Sequence, residues 1–236
     1  MPRQLLILPG WGGTKESWQK FSQLAKNDFQ VTCLELPCFG KEPCPKGIWG
    51  VEDYAVFVKD KIRELNLIKP VLLGHSFGGQ VAACLAAREP LLISRLILSG
   101  ASALRPKRNF KKTVFNLAAK SGKIFFSLPL IKNLSVPARK FLYQLADSPD
   151  YGDSAGIQRK IFKKVIRQDL TEDLKKIKAP TLVVWGTLDS YVPLSSGKKI
   201  AALIPNSRLE IIAGGQHGLH LQMTEKLYGL VKNFIE

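Results

Sequence analysis

The chain has no hydrophobic run long enough to cross a membrane. No segment reaches the ~18 uninterrupted apolar residues that a spanning helix needs. The apolar run Leu5–Leu8 stops at Pro9-Gly10, too early for the core of a secretory signal. Cysteine is scarce. Cys33, Cys38, Cys44 and Cys84 contain no C-x-x-C pair, which argues against a zinc site. Cys33 and Cys84 sit in apolar segments, as buried thiols do. Cys38 and Cys44 share a loop, where a bond between them stays open, but reduced thiols in a cytoplasmic protein are the expectation. Histidine is scarcer still. The chain has 3, with no H-E-x-x-H or H-x-H-x-D, so no metal and no cofactor is expected.

Acidic residues are the minority: 19 Asp and Glu face 35 Lys and Arg, for a net charge of +16. The excess is uneven. Residues 101–178 hold 18 of the cations and 6 of the acids, so 12 of the 16 net charges fall in one third of the chain. Such a patch attracts nucleic acid, acidic lipid, acidic proteins or anionic substrates, or simply keeps the surface soluble. Nucleic acid is the poorest fit, because no recognised module and no interleaved aromatics accompany the charge.

What is present is a rhythm. Short runs rich in Leu, Ile and Val, without polar alternation, recur at Leu5–Leu8, Val31–Leu34, Pro70–Leu73, Arg95–Ser99, Thr181–Trp185 and Arg208–Ile212. Strands buried on both faces of a parallel sheet read this way. Helix-like stretches separate them, at Lys15–Lys26, Val51–Leu65, Phe77–Arg88, Ser195–Leu203 and Leu221–Phe234. The order predicts an α/β fold: an open, mostly parallel sheet of about six strands with helices on both faces. One interval lacks strands. Between Ala101 and Leu174 lie helix-like pieces at Phe110–Lys120, Ala138–Ala146 and Ala155–Gln168, punctuated by Pro106, Pro129, Pro137 and Pro149. The reading is a core of residues 1–100 and 175–236 with an inserted helical cap, 101–174. Ligands in such sheets bind beyond the carboxyl ends of the strands, so an insertion leaving from there is expected to act as a lid.

The third strand runs into VLLGHSFGGQ, which places G-x-S-x-G (Gly74, His75, Ser76, Phe77, Gly78) between strand and helix. A serine on so sharp a turn is strained and exposed, and the helix N-terminus behind it favours developing negative charge. A phosphate-cradling loop would need more glycine and a following lysine, which is missing. A serine nucleophile needs a base, and the base needs an orienting carboxylate. The stretch after the fourth strand, SGASALRP, contains no acid; the stretch after the fifth, VVWGTLDSYVP, contains Asp189, which could also be a plain turn former. After the sixth strand, IIAGGQHGLH offers His217 in the loop and His220 at the start of the last helix-like stretch. His217 suits a base reaching over the strand ends, and His220 a packing or capping role. Backbone N–H groups of Phe77 and of Trp11, in the glycine-rich LPGWGGTKESW loop, are the candidate oxyanion donors.

Together these motifs resemble the α/β-hydrolase fold family over essentially the whole chain. The resemblance implies a Ser76–Asp189–His217 triad and an oxyanion hole from the backbone of Trp11 and Phe77. The chain departs from the family pattern at Pro9-Gly10, where members often carry His-Gly with the imidazole bracing the loop. It departs again at Glu35-Leu36-Pro37-Cys38-Phe39-Gly40, where glycine is usual in place of Cys38. The two N-terminal strands usual in the family are also missing from the predicted sheet. A serine nucleophile implies hydrolysis of carboxylic esters, thioesters or lactones, acyl lactones included. Phe110, Phe115, Phe125, Phe126, Phe141 and Tyr143, with Trp11, are candidates for an apolar acyl pocket or for the cap's own core. An acidic acyl-carrier protein docking on the basic cap, and a non-catalytic ligand binder of the same fold, are the alternatives.

Overall fold

The computed structural model describes residues 3–105 and 156–236. Six strands form one parallel sheet: β1 (Arg3–Leu8), β2 (Phe29–Cys33), β3 (Val71–His75), β4 (Arg95–Ser99), β5 (Thr181–Gly186) and β6 (Ser207–Ile212), in the order β2-β1-β3-β4-β5-β6. The apolar runs follow from burial on two sides. Leu6, Leu8, Leu72, Leu96, Leu98, Val183 and Trp185 enter one core, while Leu5, Ile7, Val71, Leu73, Ile97, Leu182 and Val184 enter the other. Successive side chains point to opposite faces, so a strand apolar at every position must be covered on both. Fully burying each such side chain stabilises the fold by about 1.5–3 kcal/mol before entropy is counted.

The helices supply that cover. The first core takes α2 (Val51–Glu64), α3 (Ser76–Arg88), α4 (Gly156–Val165), α5 (Thr171–Leu174) and α6 (Leu194–Leu203). The second takes α1 (Gln19–Ala25), preceded by a single 3-10 turn at Glu16–Trp18, and α8 (Thr224–Ile235), preceded by the short α7 (Leu219–Gln222). The predicted continuous helix Leu221–Phe234 is thus broken at Met223, whose φ and ψ of −134° and 45° are not helical. Thr224 at the start of α8 donates its hydroxyl to His220 O at 2.8 Å, which ties the two short helices together.

The insertion expected over residues 101–174 lies largely outside the described residues; by contacts the chain divides into Met1–Leu104 with Ala155–Glu236, and Arg105–Ser154. The stretch from α4 to α5 goes with the first unit because Ile161, Val165, Leu170 and Leu174 bury their side chains in its core. The expectation of reduced thiols fails at one pair: Cys38 and Cys44 are joined by a disulfide, while Cys33 and Cys84 are free. The loop makes the bond possible by turning back on itself. Cys38 takes a left-handed φ of 77° and its N–H reaches Pro43 O at 3.4 Å. The helix-like pieces at Phe110–Lys120 and Ala138–Ala146, and the cap aromatics, lie outside the described residues. Among the described residues, no helix is long and apolar enough to cross a membrane.

Candidate active site

The sheet order reverses between β1 and β3: from β1 the chain crosses outward to β2, and from β3 it runs the other way. Loops leaving the carboxyl ends of β1 and β3 therefore diverge toward opposite faces and open a crevice. The glycine-rich loop and the G-x-S-x-G turn occupy these two positions. At the turn, His75 is extended (φ −108°), Ser76 is left-handed (φ 51°), and α3 starts at once. A left-handed conformation costs a residue with a side chain about 1–2 kcal/mol and is kept where the surroundings enforce it. Gly78 enforces it here, since a side-chain carbon at that position would lie 2.2 Å from Leu8 O and 2.3 Å from Pro9 O. Only glycine lets α3 press against the end of β1. The glycine-rich loop is drawn over the turn as well: a carbon placed on Gly10 would lie 3.2 Å from Ser76 Cβ. The N–H groups of Trp11 and Phe77 find no acceptor among the described residues.

The acid and the histidine arrive from β5 and β6. Gly186 and Gly215 bring their loops into contact, with a carbon on Gly186 only 2.2 Å from Gly215 O. His217 Nδ1–H then donates to Asp189 Oδ2 at 2.8 Å. Because a carboxylate can only accept, the proton lies on Nδ1 and leaves Nε2 as a bare acceptor. Asp189 is held in turn. Its Oδ1 accepts the N–H groups of Tyr191 at 3.0 Å and Val192 at 2.8 Å, and its side chain is 1% exposed. The Tyr191 ring stacks on His217 with centroids 5.0 Å apart and planes at 18°. Gly100, after β4, lies beneath the pair: a carbon there would be 3.2 Å from His217 Nδ1 and 3.3 Å from Asp189 Oδ2. A side chain there would press on the pair and take a strained left-handed backbone (φ 56°).

All three histidines of the chain converge. The His75 ring, one residue before Ser76, lies 4.7 Å from both the His217 and His220 rings. Its Nδ1–H donates to Ser99 O at 3.0 Å. Burial, and then the neighbouring histidines, push the His75 pKa well below its usual value and keep it neutral. His220 stacks on Trp18 with centroids 4.2 Å apart and planes at 5°. It is buried, its Nδ1 has no hydrogen-bond partner, and burial followed by His217 lowers its pKa to about 4. The two histidines of GGQHGLH are therefore unlike: His217 faces the crevice, and His220 is a neutral ring in the core. Among the described residues no three His, Cys, Asp or Glu side chains are arranged to hold a metal ion.

Three neighbours carry no role in the expectations drawn from the sequence. Tyr191 gave no signal. His75 could be read as the variable position of the motif. Glu35, the acid of the loop after β2, is buried and accepts the N–H groups of Lys15 at 3.3 Å and Lys41 at 3.1 Å. An apolar wall stands beside the crevice, with the Trp11 ring 4.8 Å from Phe39, 5.2 Å from Phe77 and 4.9 Å from Phe162.

Comparison with known proteins agrees with this architecture. The sequence model of the alpha/beta hydrolase fold matches residues 4–223. An uncharacterized hydrolase of Bacillus subtilis (strain 168), YugF, is 28% identical over 99% of this chain and 90% of its own length. A 2-hydroxy-6-oxononadienedioate/2-hydroxy-6-oxononatrienedioate hydrolase of Escherichia coli O81 (strain ED1a) is 24% identical over 98% of this chain and 86% of its own. Among solved structures, a hydrolase from Pseudomonas aeruginosa PA01 superposes with a TM-score of 0.73 at 22% identity, over 99% of this chain and 90% of that one.

Proposed function

The chain belongs to the alpha/beta hydrolase fold family, and from that premise we propose that it is a serine hydrolase that cleaves small to medium carboxylic esters or lactones. The observation that carries the reading is the 2.8 Å bond between Asp189 and His217, together with Ser76 held at φ 51° on the strand–helix turn. In this scheme His217 Nε2 takes the Ser76 hydroxyl proton as Oγ attacks the carbonyl carbon. The Trp11 and Phe77 N–H groups receive the negative oxygen, and the proton passes from His217 to the departing alkoxide. Water, deprotonated by His217, then attacks the acyl-enzyme and releases the acid and free Ser76. Asp189 holds the imidazole in the right tautomer through both steps. The Trp11, Phe77 and Phe162 rings support an apolar acyl group.

A second reading rests on α4. Lys160, Lys163 and Lys164 of this helix, and Arg167 just past its end, are exposed, while Ile161, Phe162 and Val165 are buried; Lys164 also pairs with Asp53 at 3.8 Å. Phe162 of this helix touches Trp11. An acidic carrier protein docking on these cations would deliver its acyl chain close to Ser76, and its turnover would fall steeply with salt. We also propose a cytoplasmic location, where a disulfide such as Cys38–Cys44 would serve a redox-responsive role.

The test is a panel of esters, thioesters, lactones and a 2-hydroxy-6-oxononadienedioate, run on wild type and Ser76→Ala, with a serine-directed phosphonate as probe. The expected result is labelling at Ser76 and loss of turnover in Ser76→Ala. An unlabelled protein whose activity survives Ser76→Ala is not a serine hydrolase. An unlabelled protein with no activity points to a ligand binder of the same fold.

A further inference from the structure

The sequence loses the histidine that usually braces the glycine-rich loop, and Pro9 in its place has no N–H. The structure offers another brace, in the loop after β2. That loop, Leu34–Cys44, is tied to the glycine-rich loop at two points. At one end the buried Glu35 carboxylate accepts the Lys15 N–H from the first loop and the Lys41 N–H from its own. Gly40 permits this, because any side chain there would run into the carboxylate, 2.3 Å from the carbon it would add. At the other end Phe39, 4% exposed, sets its ring edge-on to Trp11 at 4.8 Å and 75°. The backbone that carries Phe39 is fixed from three sides. Its N–H donates to Leu36 O at 3.0 Å, the Cys38 carbonyl accepts Gln158 Nε2 of α4 at 3.3 Å, and the Cys38–Cys44 disulfide closes the loop. Trp11 cannot turn away from Phe39 without losing Phe77 and Phe162 as well.

We infer that Phe39, clamped by the Cys38–Cys44 disulfide, is the positioning residue for the Trp11 oxyanion amide, and that turnover therefore follows the redox state of that pair. The inference rests on the serine hydrolase reading above. Phe39 touches no reacting atom. It acts through the Trp11 ring on the position of an N–H whose value to the reaction depends on tenths of an ångström. Reduction follows thiol–disulfide exchange: a thiolate of a dithiol reductant attacks one sulfur, the S–S bond breaks, and a mixed disulfide forms. The second thiol of the reductant then resolves it. Cys38 and Cys44 gain two electrons and two protons, and the reductant leaves as its own disulfide. Without the bond, the left-handed Cys38 relaxes and Phe39 loses its fixed approach to Trp11. The remaining cysteines stay out of the exchange, since burial, the larger cause in each, pushes Cys33 and Cys84 up to about 12.

The experiment measures kcat, KM and phosphonate labelling on the full chain, oxidised, reduced with a dithiol and reoxidised. The same assays are run on Cys38→Ser/Cys44→Ser and on Phe39→Leu. Losing a whole oxyanion donor costs 10²–10³ in kcat, so a loosened one is expected to cost about tenfold. Reduction should lower kcat and labelling rate together by that factor, with KM within about twofold, and reoxidation should restore both. The double serine variant should sit at the reduced level and ignore the reductant, and Phe39→Leu should match it. Equal kcat in the two redox states overturns the clamp, as does a change carried by KM alone or a double serine variant that still responds. A protein whose activity survives Ser76→Ala fails the serine hydrolase reading instead, whatever the reductant does.

Discussion

Among the described residues, four with side chains hold a left-handed backbone, and they divide between the two ends of the sheet. Asn66 and Lys69 (φ 51° and 46°) lie in the exposed connection that enters β3 from its amino end. Cys38 and Ser76 (φ 77° and 51°) lie past the carboxyl ends of β2 and β3. The local geometry is alike and the surroundings are not. Around Asn66 and Lys69 the chain only has to turn. Around Ser76, Gly78 is pressed on Leu8 O and the glycine-rich loop covers the turn. Around Cys38 a disulfide and a helix side chain close in. Strain at the amino end is an incident of the path, whereas strain at the carboxyl end is enforced by contacts from other segments of the chain.

Substitutions can break or sharpen this contrast. The largest effect is expected from the carboxyl-end polar pair. His217→Ala should lower turnover by about 10⁴ or more and Asp189→Asn by about 10⁴, with denaturation midpoints close to wild type, as steady-state kinetics and urea titration would show. Next comes Gly78→Ala, whose added carbon meets Leu8 O at 2.2 Å. It should cost about 3 kcal/mol in urea titration and most of the activity, because the helix must back away from β1.

A smaller and pH-dependent effect belongs to His220. Its pKa in the fold, about 4, lies below the ordinary 6.5, so the unfolded chain takes up the proton first. Its contribution is whole above pH 6.5 and is lost as pH falls toward about 4. His75, shifted the same way, adds to that slope. Between pH 7 and pH 5, His220→Gln should lose about 2 kcal/mol less stability than wild type, while its turnover at pH 7 changes far less than that of His217→Ala. The smallest effect is at the amino end. Lys69→Gly should gain up to about 1 kcal/mol with unchanged kinetics, and Ser76→Gly should gain a similar amount and abolish turnover. Equal kinetic consequences at Lys69 and Ser76 would erase the distinction between the two ends.

Much of this architecture is legible in the amino-acid order. The four inner strands announce themselves because burial on two faces leaves little room for polar residues, whereas the edge strands β2 and β6 are only partly buried and carry Gln30, Thr32 and Glu210; Arg95–Ser99 is bounded as expected. The G-x-S-x-G turn, Asp189 and His217 are legible because each follows a strand and few alternatives of their type exist. Contacts between distant segments are not legible. Nothing local says that Glu35 joins two loops or that Trp18 stacks on His220, and sharing a loop leaves the Cys38–Cys44 bond undecided. The basic composition of α4 resembles that of the preceding fifty residues, which hid its membership in the core. Only Ile161, Phe162 and Val165, read as one buried stripe, reveal it.

One modest bond has a wide consequence. Leu170 N–H donates to Ala103 O at 3.0 Å, so the chain that leaves β4 is stitched to the chain that returns through α4. The bond closes a loop of chain between Ala103 and Leu170, and α4, on its returning side, belongs to the core. The entropy of closing such a loop rises only with the logarithm of its length, about 0.6 kcal/mol per doubling. The entropy of closing the loop therefore depends only weakly on how many residues lie between Leu104 and Gly156. Ser76, Asp189 and His217 all lie outside it. A lineage could exchange the inserted stretch many times over and keep the same three side chains on the same six strands.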